Sequence, residues 1–237
     1  MSALATKNML VFSEAPFAWL STRCRLDYRA PMTNALLSIA PLIDRVKTVV
    51  TNPSGCWDVV AADTRDAKSL FKELAVPMAV LGALASLIGS FVSGVASMVG
   101  IGVVLLQFIS GVIMGCASGF IMAFIATKVA SLVGGAVTLD RAYSWLLHAS
   151  MVGFVGGLTM VVPPLGAFVG MFTSIATLYW GWKGISTMVN VPAEKRLLFF
   201  VGTIIVSFIA LILFSLLLGS VLIGTVGIPA VNTLTPQ

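Results

Sequence analysis

The sequence predicts an all-α integral membrane protein, with five transmembrane helices preceded by an amphipathic interfacial helix. Two observations carry that expectation. Charged residues make up 10% of the chain and hydrophobic residues 58%, where a typical soluble domain is about 25% charged. The charges are also segregated: no Asp, Glu, Lys or Arg falls within 74–127, 142–182 or 197–237. A soluble helix needs a wet face and breaks its apolar runs. A membrane span cannot break them, because a charge at the bilayer centre costs about 2.5–3.5 kcal/mol even on a lenient insertion scale.

One span needs roughly 20 apolar residues, so the three blocks divide into two helices, two helices, and one helix with a tail. The predicted spans run over 76–98, 103–127, 143–162, 165–187 and 197–222. A glycine-rich link from Gly94 to Gly102 turns the chain between the first two, and Lys128 ends the second. Gly134, Gly135, Asp140 and Arg141 mark the next loop. Pro163-Pro164 supplies the tight turn that the length of the middle block demands, since proline disfavours continuing a helix. Asn190 to Arg196 forms the last loop, and residues 226–237 form a charge-free tail.

Ahead of the first span, Asn52-Pro53-Ser54-Gly55 reads as a turn. After it, Trp57, Val60, Ala61, Ala67, Leu70, Phe71 and Leu74 recur at helical spacing, with Asp58, Asp63, Arg65, Asp66, Lys68 and Lys72 opposite. This pattern predicts one amphipathic helix on the headgroups, with Trp57 at the aromatic-belt level; a solvated helix packed on the protein's own loops is the alternative. Residues 1–41 form a separate N-terminal cytoplasmic segment. Arg23, Arg25 and Arg29 give 1–31 a different character, and we expect native translation to begin at Met32 rather than Met1.

Orientation follows from the basic residues. With the N-terminus in the cytoplasm, Arg45, Lys47, Arg65, Lys68, Lys72, Lys128, Arg141, Lys183, Lys195 and Arg196 all fall at the cytoplasmic face, and the other side receives none. Five spans then place the C-terminus in the periplasm. The net charge of +5 fits this bias, and no clustering of basic and aromatic residues points to nucleic acid. Cys24, Cys56 and Cys116 have no metal-binding or redox spacing and read as free thiols.

Chemistry within the spans is sparse. No acid lies at depth, which disfavours an ion-coupled pump. His148 reads as a packed or interfacial histidine, or as a proton relay. Lys183, beside Trp180 and Trp182, reads as a snorkelling anchor with an aromatic belt, or as a lipid-phosphate contact. Gln107 is available for a hydrogen bond between helices. Small residues recur four apart, at Gly111, Gly115 and Gly119, at Gly153 and Gly157, at Gly82, Ser86 and Ser90, and at Gly166 and Gly170. Such rows permit close helix packing, within the chain or between copies. With one histidine and no GxSxG, phosphate-loop or HExxH pattern, the chain is not expected to be an enzyme. Asp140, Arg141 and Glu194-Lys195-Arg196 read as helix-end charges.

Three stretches carry a family resemblance. They are Asn52-Pro53-Ser54-Gly55-Cys56-Trp57; Thr138-Leu139-Asp140-Arg141-Ala142-Tyr143-Ser144; and Tyr179-Trp180-Gly181-Trp182-Lys183-Gly184 with Val191-Pro192-Ala193-Glu194-Lys195-Arg196. In this order, over residues 42–225, the chain resembles the bacterial inner-membrane branch of the Yip (Ypt-interacting-protein) domain family. The resemblance implies a five-span membrane domain without catalytic residues or cofactors. Eukaryotic members bind small GTPases through a longer N-terminal segment that has no counterpart here.

The expected function is therefore non-enzymatic organisation of membrane or partner proteins, with the lipid bilayer and other membrane proteins or self as partners. The expected contact residues are Trp57, Arg141, Trp180, Trp182, Lys183, Lys195 and Arg196. A small transporter, channel or lipid-handling protein, using Gln107, His148 and the glycine faces, is the alternative.

Overall fold

The computed structural model describes residues 53–63 and 65–226. The N-terminal segment, the proposed Met32 start, Cys24, Arg45, Lys47 and nearly all of the tail lie outside them. The regular structure of the described residues is helical, apart from an isolated bridge between Ala136 and Asn190. Its elements are α1 (Pro53–Ala62), α2 (Ala67–Leu70), α3 (Val76–Val92), α4 (Val95–Val99), α5 (Ile101–Leu132), α6 (Leu139–Leu158), α7 (Pro163–Met188) and α8 (Arg196–Val226).

Four helical stretches are long and apolar enough to cross a membrane: Ala67–Val92, Ile101–Leu132, Leu139–Val161 and Ala193–Leu222. The helix α7 is 26 residues long, about 39 Å at 1.5 Å per residue, but its composition is less apolar. Thr173, Ser174 and Thr177 account for part of this, and each hydroxyl donates to a carbonyl one turn back, on Val169, Gly170 and Thr173. Their polarity is thus satisfied within the helix.

The predicted interfacial helix is not continuous. The chain leaves α1 after Ala62 and restarts at Ala67, where the Asp66 carboxylate caps α2 by accepting from Ser69 N–H at 3.2 Å. From there a π turn, Phe71–Ala75, leads without a break into α3. Pro77 has no N–H to give Glu73, and the local register widens so that Val76 N–H reaches the Phe71 carbonyl. The helical stretch that holds the first candidate span therefore begins at Ala67, nine residues before the expected 76.

Pairs of helices run antiparallel. On α3 and α5, Ala79 meets Gly115 and Ala83 meets Gly111. On α6 and α7, Gly153 meets Thr177 and Gly156 meets Thr173. Trp145 of α6 packs on Phe199 of α8 with centroids 5.7 Å apart, and Gly202 of α8 meets Val129 of α5. Pro163 and Pro164 are the first residues of α7, so the turn expected at them falls just before, at 159–162. Gly94 and Gly100 take positive φ on either side of α4 in the link after α3. Large apolar side chains, among them Phe91, Phe124, Phe168, Ile175, Phe208 and Leu213, cover the outside of the bundle. That surface suits lipid rather than water.

Candidate functional site

Every described charge lies towards one end of the bundle, built from α1, the start of α2, the loops 133–138 and 189–195, and the helix termini beside them. The turns at the other end, 93–100 and 159–162, carry none. The polar end is ordered by contacts between distant segments. Asp140 at the start of α6 accepts from Ala67 N–H at 2.8 Å, supplying an acceptor to the orphan first turn of α2. Thr138 caps α6 through Arg141 N–H, and the Arg141 guanidinium donates to the Ala61 carbonyl at 3.3 Å. Arg65 bonds both Asp63 and Glu73, the latter at 2.6 Å, tying the 63–66 linker to the helix that follows.

Two loops close against each other. Gly134, with φ 78°, ends α5, and Gly135 N–H returns to the Ala130 carbonyl at 2.8 Å, a glycine-terminated helix end. Ala136 N–H then donates to the Asn190 carbonyl at 2.8 Å. A Cβ on Gly135 would lie 2.6 Å from that same oxygen, so this crossing admits no side chain.

Trp57 overturns its expected placement. Its ring is 5% exposed and sits over Gly184 of α7, where a Cβ would be 2.8 Å from both Trp57 and Trp145. The apolar face read from the sequence is correct, since Val60, Ala67, Leu70 and Leu74 are also buried. What covers it is the protein's own α6 and α7 rather than headgroups, because the break at Asp63–Asp66 lets α1 fold back onto the bundle. Trp180 is likewise buried. Trp182 is exposed and meets Phe200 edge-on at 5.5 Å. Lys183 lies 5.6 Å from the Tyr179 ring centroid, a cation–π geometry. Arg141 and Lys195 are exposed, while the Nε of Arg196 is shut from solvent without a hydrogen-bond partner.

Of the glycines singled out, Gly111, Gly115, Gly119 and Gly153 face Ala83, Ala79, Tyr143 and Thr177 of this same chain, whereas nothing lies close to Gly157. Tighter approaches are made by Gly166, also in those rows, on the Met160 backbone, and by two glycines outside them, Gly156 on the Thr173 hydroxyl and Gly89 on the Met160 carbonyl. Tyr143 stacks on Phe120 at 4.5 Å, which in turn meets Phe71 at 5.3 Å. Sequence reasoning missed this aromatic row, as it missed the role of Asp140. Contacts among residues as distant as Phe71, Phe120 and Tyr143 have no local signal, and Asp140 reads from the sequence only as a helix-end charge.

The residues held for a transport path do not converge. His148 is buried and donates from Nδ1 to the Ser144 carbonyl at 2.8 Å. Gln107 lies on α5, in a cleft of about 330 Å³ against α3 with Ser86 and Ser90. Asp66 is fully exposed, and the hydrogen bond from Ser69 holds its carboxyl below the ordinary value.

Long apolar helices with their charges gathered at one end define a helical membrane protein. The Yip1 domain model matches residues 47–226, and the chain belongs to the Yip1 domain family. No curated protein sequence and no solved structure matches it.

Proposed function

We propose that this protein is a non-enzymatic inner-membrane member of the bacterial branch of its family, crossing the bilayer five times and organising membrane or partner proteins through its polar end. The observation that supports this is the segregation of charge. The sides of the bundle carry lipid-compatible side chains, one end carries all the described charges, and that end is cross-tied through Asp140, Arg65 and the Ala136–Asn190 bridge. A recognition surface needs such a fixed arrangement of polar groups.

The count of five rests on α7. It runs antiparallel along α6 from the Pro163 turn to Lys183, so if α6 crosses the membrane its partner returns across it. Leu165, Phe168, Met171, Phe172, Ile175 and Leu178 give it an exposed apolar flank. The basic residues of the polar end then favour the cytoplasm, with the C-terminus in the periplasm. A reporter fused after residue 226 should be active only as a periplasmic fusion. Reporters on both termini that reside on the same side would overturn the count.

Native mass spectrometry of the chain, extracted gently from its own membrane, tests the organising role. The expected result is a second protein at fixed stoichiometry, lost on charge reversal at the exposed Lys195 (Lys195→Glu). A chain that runs alone and moves lipid or solute across liposomes would overturn it in favour of lipid handling or transport.

A further inference from the structure

A cavity of about 540 Å³ opens at the polar end between the 136–138 segment, the first turn of α6, the end of α7 and the start of α8. Among the described residues, its polar lining is Thr138, Arg141, Ser186, Thr187, Asn190 and Arg196, with no carboxylate. Two guanidinium side chains therefore share one recess without a counter-charge.

Neighbouring acids, Asp63 and Asp140, stand close to Arg141 without pairing with it. Asp140, in an adjoining recess that also holds Arg141, accepts from Ala67 N–H, and Asp63 is engaged by Arg65. Among the described residues, neither Arg141 nor Arg196 has a carboxylate within ion-pair distance. Arg141 donates one N–H to the Ala61 carbonyl, which leaves most of its donors unspent. The Nε of Arg196 is enclosed and has no acceptor. A buried donor of a charged group without a partner is costly and unusual in a native fold. An anion in the recess would offset the charge of this guanidinium. The N-terminus of α8, where Arg196 sits, adds partial positive charge of the same sign.

We propose that this recess binds a phosphate group. Two planar guanidinium forks match phosphoryl oxygens. The Thr138 and Thr187 hydroxyls and the Asn190 amide supply further donors from other walls, while the Ser186 hydroxyl is taken by the Lys183 carbonyl; this spread suits a tetrahedral anion better than a planar carboxylate. The recess lies where α6, α7 and α8 meet the polar end. Its phosphate has two sources, a phospholipid headgroup or a soluble phosphate ester. The inference rests on the polar end being the working face, and it names what one part of that face recognises.

The test uses the full chain, with phosphatidylglycerol in one arm and inorganic phosphate in the other. Native mass spectrometry counts retained lipid, and melting in detergent against each probe requires no variant, since a ligand that binds the folded state raises the melting temperature. The expected result is one retained phosphatidylglycerol per chain. Retention should weaken about tenfold or more in Arg196→Ala and in Arg141→Ala, partly recover in Arg196→Lys, and stay unchanged in Lys68→Ala, an exposed cation outside the recess. A melting rise with inorganic phosphate but no retained lipid would assign the site to a soluble phosphate. If neither probe raises the wild-type melting temperature or is retained above the Arg141→Ala/Arg196→Ala level, the inference is overturned. Capture of a partner protein under those same conditions would leave the organising role standing alone.

Discussion

Replacing Trp57 by alanine separates two readings of α1. If the ring anchors the helix in headgroups, its loss weakens membrane contact and leaves the fold intact. The structure instead encloses it at 5% exposure, against Gly184 and beside Trp145. Truncating an enclosed Trp costs about 3–5 kcal/mol. For a chain of this size each kcal/mol lowers the melting temperature by about 2–4 °C, so Trp57→Ala should melt about 6–20 °C below wild type in detergent. Hydrogen exchange should show the loss of protection concentrated in residues 53–62. Gly184 supplies an internal check, because its added methyl would strike both indoles. Gly184→Ala should be destabilising alone and less so in the Trp57→Ala background, with a coupling of about 0.5–3 kcal/mol. An unchanged melting temperature in Trp57→Ala, or strictly additive effects, would refute the enclosed placement.

Adjacent glycines on α6 should respond oppositely: Gly156→Ala, which drives a methyl into Thr173, should cost about 1–3 kcal/mol, while Gly157→Ala, with open space around it, should stay within about 0.5 kcal/mol of wild type. Equal shifts in a melting assay would contradict the α6–α7 register. Asp140→Ala should cost about 1–2 kcal/mol through the lost acceptor for Ala67 N–H and speed exchange over Ala67–Leu70, with Asp140→Asn closer to wild type; unaltered exchange would remove the cap from the account. Asp66 titrates below its ordinary 3.8 in the fold, so its cap is complete above that value and lost as pH falls through the lowered one. Exchange at Ser69 N–H should therefore accelerate, after correction for intrinsic pH dependence, only in that acid window. Asp66→Asn should abolish the step.

The helices were legible because charge exclusion acts on every residue of a span. The ends were less so. The second span continues past Lys128 to Leu132, since a lysine near a helix end can extend to the interface, here with its ammonium 5.3 Å from the Phe124 ring centroid. The fold-back of α1 was legible only in part. Periodicity identified which side of residues 57–74 is apolar, but it does not say what covers that side. A break signal was present in Asp66, a strong capping residue three places before Ser69. The glycine rows included Gly111 and Gly115, which lie on the α3–α5 seam, without saying which helix they meet. They passed over Gly184, whose neighbours Trp57 and Trp145 are distant in sequence.

The glycine contacts bear on how the polar end is held. Lipid tails give apolar helices no hydrophobic reason to associate, so close backbone approach has to supply the packing. Here the approach occurs at both ends of the α6–α7 pair, at Gly156 and Gly166 towards the uncharged turns and at Gly184 beneath Trp57. The α6–α7 pair thus fixes the level at which Arg141 leaves one helix and Thr187 leaves the other, and α8 joins it through Trp145 and Phe199. The two arginines of the recess sit at the first turns of α6 and α8, held by helix packing rather than by a long loop. A substitution deep in the bundle, such as Gly156→Ala, should therefore weaken phosphate retention as well as stability, although it touches no residue of the recess. Retention unchanged in that variant, measured below its melting temperature, would show that the recess is positioned by the loops alone.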